Sequence, residues 1–129
     1  MLGLKQFSTI CLCLLAIDVN ADLSGTALIV DGDTITISGN KIRLSGIDTP
    51  ERDQTCKRAG ITWRCGYEAT ETLRNWTYTK EVRCIGDTKD RYGRLIANCF
   101  VDGYNVNARL VYEGLALAYR KYSKQYVPE

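Results

Sequence analysis

The chain contains no histidine, and that absence removes several chemistries at once. A Ser-His-Asp triad, an HExxH zinc site and a paired-histidine ribonuclease mechanism all need an imidazole. CxxC pairs are missing too, so the cysteines lack the spacing of a structural zinc site. No apolar run reaches the roughly 20 residues that a membrane-spanning helix requires. Internal repeats, low-complexity tracts and Pro/Gly-rich linkers are also absent, with only two prolines in 129 residues. The charge excess is small, at +2. It proves no nucleic-acid partner but permits a local basic face, and Lys57, Arg58 and Arg64 fall close together.

What is present begins with a leader. Lys5 supplies a short basic region, residues 7–17 form an apolar core broken by Ser8 and Thr9, and Val19-Asn20-Ala21 offers small residues for cleavage. Residues 1–21 are therefore expected to be a secretory signal peptide, with the product secreted or periplasmic and without a membrane anchor. Cys13 does not mark a lipoprotein, because apolar residues continue beyond it. The remaining residues 22–129 suffice for one domain and not two. Of six cysteines, Cys56, Cys65, Cys84 and Cys99 stay in this part. An even number in an exported domain implies two disulfides, with three possible connectivities. Cys56–Cys65, closing a loop, and Cys84–Cys99, joining neighbouring strands, are the expected pairs. With all four bridged, no thiol nucleophile is left. Carboxylates, arginine, lysine, tyrosine and a metal ion remain.

Residues 23–30 are strand-like, with Ala27-Leu28-Ile29-Val30 expected to be buried. Thr34-Ile35-Thr36-Ile37 alternates polar and apolar, and Gly39-Asn40 is expected to turn the chain into Lys41-Ile42-Arg43-Leu44. Residues 66–77 carry a helical pattern, with Ala69, Leu73 and Trp76 on one face. Strands are expected over 81–85 and 95–101. Asp102-Gly103 then turns into a short helix capped by Asn105 and stopped by Gly114. The order (three strands, helix, two strands, helix) predicts a mainly β, α+β fold built on a five-stranded OB-type barrel. Asn75-Trp76-Thr77 matches a glycosylation sequon, but its helical setting makes chance the better explanation.

Chemistry concentrates at two acidic segments and two arginines. Val30-Asp31-Gly32-Asp33-Thr34 and Gly46-Ile47-Asp48-Thr49-Pro50-Glu51 flank the strand carrying Arg43, and Asp90-Arg91-Tyr92-Gly93-Arg94 follows later. Either acidic fragment alone reads as a solvated turn. Together they offer oxygen ligands for a hard cation and guanidinium forks matched to phosphate oxygens. That combination suggests metal-assisted attack on a phosphodiester.

These four stretches resemble the thermonuclease family, the staphylococcal-nuclease-like phosphodiesterases. Asn107 and Glu113-Gly114-Leu115-Ala116 extend the resemblance over almost all of residues 22–129. Cys56 and Trp63-Arg64-Cys65-Gly66 are similar to its exported, cysteine-containing bacterial branch. The resemblance implies an OB barrel and a monomeric Ca²⁺-dependent nuclease acting on DNA and RNA, without a stable protein partner. It implies that Asp33 and Asp48 bind Ca²⁺ through their carboxylates and Thr49 through its carbonyl. Glu51 would hold or deprotonate the attacking water, and Arg43 and Arg94 would clamp the phosphate. Asp31 would tune the metal site or simply shape its turn, and Asp90 would order the loop presenting Arg94. Arg91 and Tyr92 would contact a neighbouring phosphate, and Tyr119 or Tyr122 would stack on a base unless they serve only in packing. The rival expectation is a non-catalytic nucleic-acid-binding OB module. Two departures stand out: a short loop between Cys84 and Arg94, and a Cys56–Cys65 element after Glu51. The family usually adds a C-terminal helix, so truncation after Pro128-Glu129 is expected to bare apolar surface.

Overall fold

The first two strands are β1 (Ala21–Gly25) and β2 (Ala27–Asp31), the second carrying the β-branched pair Ile29-Val30. The computed structural model describes residues 21–119 and the isolated positions 3, 10 and 11. Tyr122 and, apart from Ala21 and those isolated positions, the expected signal peptide lie outside the described residues. Along β1 and β2 half-buried and exposed residues alternate throughout. The run Ala27-Leu28-Ile29-Val30 is thus not buried along its length. Leu28 is 69% exposed and Val30 49%, because this terminal strand of the sheet turns only one face to the core.

β3 (Thr34–Ile37) and β4 (Asn40–Leu44) follow as an antiparallel pair. Their turn sits at Ser38-Gly39, one residue before the predicted position. Both residues have positive φ, 49° and 77°, the left-handed pair whose twist matches a two-residue hairpin. Asn40 belongs to β4, and its side-chain amide donates to the Ile37 carbonyl at 3.2 Å. Then come β5 (Ile47–Asp48), the small hairpin β6 (Cys56–Arg58) and β7 (Ile61–Trp63), and helix α1 (Cys65–Thr77). Ala69 and Leu73 of α1 are fully buried, as their spacing predicts, and Trp76 is half-buried.

β8 (Val82–Lys89) runs beyond the predicted strand end at Ile85. Gly86-Asp87, which reads as a break, is instead a bulge between the pairs Ile85↔Asn98 and Thr88↔Ile96. β9 (Leu95–Val101), β10 (Tyr104–Asn105), α2 (Val106–Tyr112) and β11 (Leu117–Ala118) complete the chain. Asn105 caps α2 by accepting from Ala108 N at 3.1 Å. At its other end the Leu115 and Ala116 amides return to the Leu110 carbonyl around Gly114.

The main sheet has seven strands in the path β1-β8-β9-β4-β3-β2, with β10 attached to β9. It is curled and open. The five-stranded closed barrel predicted from the strand order is not what the hydrogen bonds form. The first long strand breaks at Thr26, and its halves, β1 and β2, become the two ends of the path. The fold is α+β, with Ile35, Ile37, Ile42, Leu44, Leu73 and Leu110 among its fully buried core. Both expected disulfides form, Cys56–Cys65 and Cys84–Cys99, with Cα separations of 5.6 and 4.1 Å. The second joins directly opposed residues of β8 and β9. Among the described residues no helix is long and apolar enough to cross a membrane.

Candidate functional site

Strand register assembles the site. Thr34 opens β3 opposite Arg43 of β4, and β4 runs parallel to β9 with Ile42 opposite Leu95. Asp33 and Arg43 therefore lie side by side, and Arg94 joins them because β9 begins beside the middle of β4, although 61 positions separate Asp33 from Arg94. β5 then returns Asp48 to this group, pinned by the β5–β11 pairing of Leu117 with Asp48.

Asp33 is buried, only 8% exposed, and its carboxylate is fully engaged. Thr49 N donates to Oδ2 at 3.2 Å, the Thr34 hydroxyl donates to Oδ1 at 3.2 Å, and Arg43 Nη2 lies 3.3 Å from Oδ2. The same Nη2 is 3.7 Å from Asp48 Oδ1. Arg43 is itself fixed, donating to the carbonyls of Leu44 and Ile47 at 2.8 Å each. The Thr34 hydroxyl also accepts from Arg94 Nη1 at 3.3 Å, so one side chain links the second arginine to the Asp33 carboxylate. Arg94 is oriented from behind by Asp90, whose Oδ2 accepts from Nε at 2.7 Å and whose Oδ1 accepts from Arg94 N and Tyr92 N at 3.0 Å. Burial alone would push the Asp90 carboxyl up. The donors from Arg94 and Tyr92 outweigh it and hold the carboxyl below its ordinary range.

Asp31 meets an opposite fate. Burial pushes its carboxyl up, and the neighbouring Asp33 and Glu51 carboxylates add to the rise. Asp31 Oδ1 also accepts from Asp33 N at 3.2 Å, so this residue both shapes the turn and adds negative charge to it.

Glu51 is carried by an exposed turn that packs onto the start of α1. A Cβ at Gly66 would stand 1.6 Å from the Glu51 carbonyl oxygen; only glycine permits that approach. Gln54 closes the turn: its amide nitrogen donates to Glu51 O at 2.8 Å, its side-chain oxygen accepts from Glu51 N at 3.2 Å, and its carbonyl accepts from Gly66 N at 3.1 Å. Gly32 works similarly on the other segment, where a Cβ would meet Thr49 Oγ1 at 2.8 Å and Ala69 Cβ at 3.0 Å. Both glycines lie inside motif stretches and Gln54 lies in none, but what these three residues hold together is revealed only by the three-dimensional approach. Asn107 is legible from its motif and fully buried. It accepts from Cys99 N at 3.2 Å and donates to the carbonyls of Ser45 and Ala97 at 3.0 Å, bracing the β4–β5 corner against β9.

The arginines and Tyr119 line one cleft of about 400 Å³. Tyr119 is held there by its amide nitrogen, which donates to Gly46 O at 2.8 Å. Tyr92 is largely exposed and borders a different cleft, with Lys41 and Lys89. Arg91 stacks over the Tyr92 ring at 4.8 Å and donates to its hydroxyl at 2.7 Å.

Among the described residues no group of three or more acidic, cysteine or histidine side chains is arranged to hold a metal ion. The chemistry of the donors nonetheless fits a hard cation. Asp33 and Asp48 converge on one guanidinium nitrogen, and the backbone of Thr49 is held against the Asp33 carboxylate by its own N–H.

Comparison with known proteins gives the family. The family model described as staphylococcal nuclease homologue matches residues 41–129. The succinoglycan biosynthesis protein ExoI of Rhizobium meliloti is 38% identical over 96 residues, covering 72% of this chain and 50% of its own length. An uncharacterized endonuclease of Haemophilus influenzae is 38% identical over 100 residues, covering 74% and 51%. The micrococcal nuclease of Shigella flexneri is 30% identical over 136 aligned positions, covering 95% and 73%. The chain thus spans about half the length of the first two relatives. With a match that covers more than half of the sequence, the chain belongs to the family of staphylococcal nuclease homologues.

Proposed function

We propose that this protein is an exported, Ca²⁺-dependent nuclease that hydrolyses phosphodiester bonds of DNA and RNA as a monomer. The observation that carries the reading is the convergence of Asp33, Asp48 and both arginines, with Thr34 linking Arg94 to Asp33. Relatives named as nucleases support it. Asp33, Asp48 and the Thr49 carbonyl would hold Ca²⁺, which supplies positive charge for phosphate oxygens and for a bound water. Glu51 holds or deprotonates the attacking water from the turn fixed by Gln54 and Gly66. Arg43 and Arg94 hold the phosphate and stabilise the charge that grows on its oxygens in the five-coordinate transition state. Tyr119, lining the same cleft, stacks on a base. The apolar leader of residues 1–21 supports export.

The second reading is a nucleic-acid-binding module without catalysis, favoured by the turning of both aspartates onto Arg43. A binder, however, has no use for Asp33, Asp48 and Glu51, which repel phosphate when no cation is present. Cleavage of denatured DNA by the oxidised protein, with Ca²⁺ and with excess chelator, separates the two. Cleavage that disappears with chelator and falls by orders of magnitude in Glu51→Ala is the expected result. A folded protein that binds DNA but never cleaves it would overturn the nuclease reading in favour of the module.

A further inference from the structure

A second cleft opens on the opposite side of the β5–β11 ribbon from the two arginines. Ile47 and Tyr119 border the arginine cleft, whereas Asp48 and Leu117, paired in the ribbon, border the second one. Its other walls come from Thr49 and Pro50, from Gln54, from Leu115, and from Trp63 at the end of the β6–β7 hairpin. The Cys56–Cys65 disulfide also lines it and ties that hairpin to α1. We infer that this groove is a nucleobase subsite, in which Trp63 stacks on an unpaired base of the strand whose phosphate lies at Arg43 and Arg94. The inference rests on the nuclease reading for the position of that phosphate.

Three observations choose a base as the occupant. The cleft holds about 260 Å³, below the roughly 300–1,000 Å³ of sites that enclose drug-sized ligands, so it suits one small flat group. Among the described residues its only charged lining residue is Asp48, at the end nearest the candidate metal ligands, so none of them offers a cation to a phosphate inside it. Cations stand outside instead. Arg58 stacks on the Trp63 ring at 4.8 Å but borders only the cleft on the tryptophan's other side, and Arg64 stacks on Tyr67 at 4.2 Å. An apolar slot walled by a tryptophan, with a guanidinium stacked on that ring from the neighbouring cleft, matches a base and leaves its phosphates outside. The groove is also continuous with the candidate site through Asp48 and Thr49, so a strand crossing the ribbon meets Tyr119 on one side and Trp63 on the other. Two such stacks require bases freed from a duplex, which makes single-stranded nucleic acid the preferred substrate.

The test uses the full oxidised protein with Ca²⁺. A Trp76→Phe background leaves Trp63 as the only tryptophan, and its fluorescence is followed as single-stranded oligothymidylate or a blunt duplex of equal length is added. Quenching by the single strand and much weaker quenching by the duplex are expected. Trp63→Ala is expected to raise KM for a single-stranded substrate about 5- to 150-fold, the range set by losing one base–aromatic stack. Trp63→Phe, which keeps a stacking face, should restore most of that loss. Unchanged emission in a protein that cleaves, or a KM within twofold of the parent in a folded Trp63→Ala, overturns the groove. Should the alanine variant fail to fold, the emission and the phenylalanine variant still decide. Quenching without any cleavage would instead remove the nuclease reading and leave the groove standing as a binding site.

Discussion

Arg94 can serve a phosphate only in the orientation that Asp90 gives it, since one carboxylate binds both its Nε and its backbone nitrogen. Removing the guanidinium should leave the fold intact, because Arg94 is only half-buried and outside the core. Arg94→Ala is expected to lose about 10²–10³ in kcat, measured on denatured DNA, with an unfolding curve close to the parent's. Asp90 adds a pH dependence whose sign follows from its lowered folded-state pKa. A depressed carboxylate stabilises the folded state above its unfolded value of about 3.9 and loses that contribution as pH falls through the folded value. Asp90→Asn should therefore be less stable than the parent at pH 7. The gap should close below about pH 4, as read from paired thermal melts across pH 7 to 2.5. A gap of constant size would show that the hydrogen-bond geometry, and not the charge, is what Asp90 contributes.

At the scale of elements, the Glu51 turn depends on α1 beginning where it does. Gly66→Ala places a methyl group on the Glu51 carbonyl, so the turn must be pushed off the start of the helix and lose its hydrogen bonds there. A loss of about 1–3 kcal/mol is expected from overpacking of this kind, measured by urea unfolding. The displaced Glu51 should lower kcat further than the lost stability explains, assayed where the variant remains folded. This dependence was not legible in the sequence, although much around it was. The alternation of Thr34-Ile35-Thr36-Ile37, the Ala69–Leu73 spacing and the Asn105–Gly114 limits of α2 all correspond to observed elements. Periodicity reports such features because each needs only its own neighbours. The two-residue partners β5 and β11 and the hairpin β6–β7 are too short to carry a period. The exposure of Leu28 and Val30 depends on where the sheet ends, which no local pattern encodes. Glycine at positions 32 and 66 is visible in sequence, but the backbone or side chain that would strike an added methyl group is not.

Across the whole molecule, the balance near +2 conceals a local excess of negative charge. Burial raises the Asp31 carboxyl and the neighbouring Asp33 and Glu51 carboxylates add to the rise, while Asp48 stands exposed nearby with Arg43 as the counter-charge it shares with Asp33. A cation bound here would relieve that repulsion in the folded state, while the unfolded chain scatters the same carboxylates and gains little. Ligand that binds only the folded form adds RT ln(1 + [L]/Kd), about 2.7 kcal/mol at a hundredfold excess over Kd. In a domain of this size that corresponds to a Tm increase on the order of 10 °C. Calorimetry of the protein in Ca²⁺ and in excess chelator should show this difference. Asp48→Asn removes a carboxylate whose side chain is 60% exposed and outside the core. Its metal-free Tm should therefore match or exceed the parent's, while most of the Ca²⁺-dependent rise disappears. An equal rise in parent and Asp48→Asn would place the stabilising cation elsewhere on the molecule and separate Asp48 from metal binding.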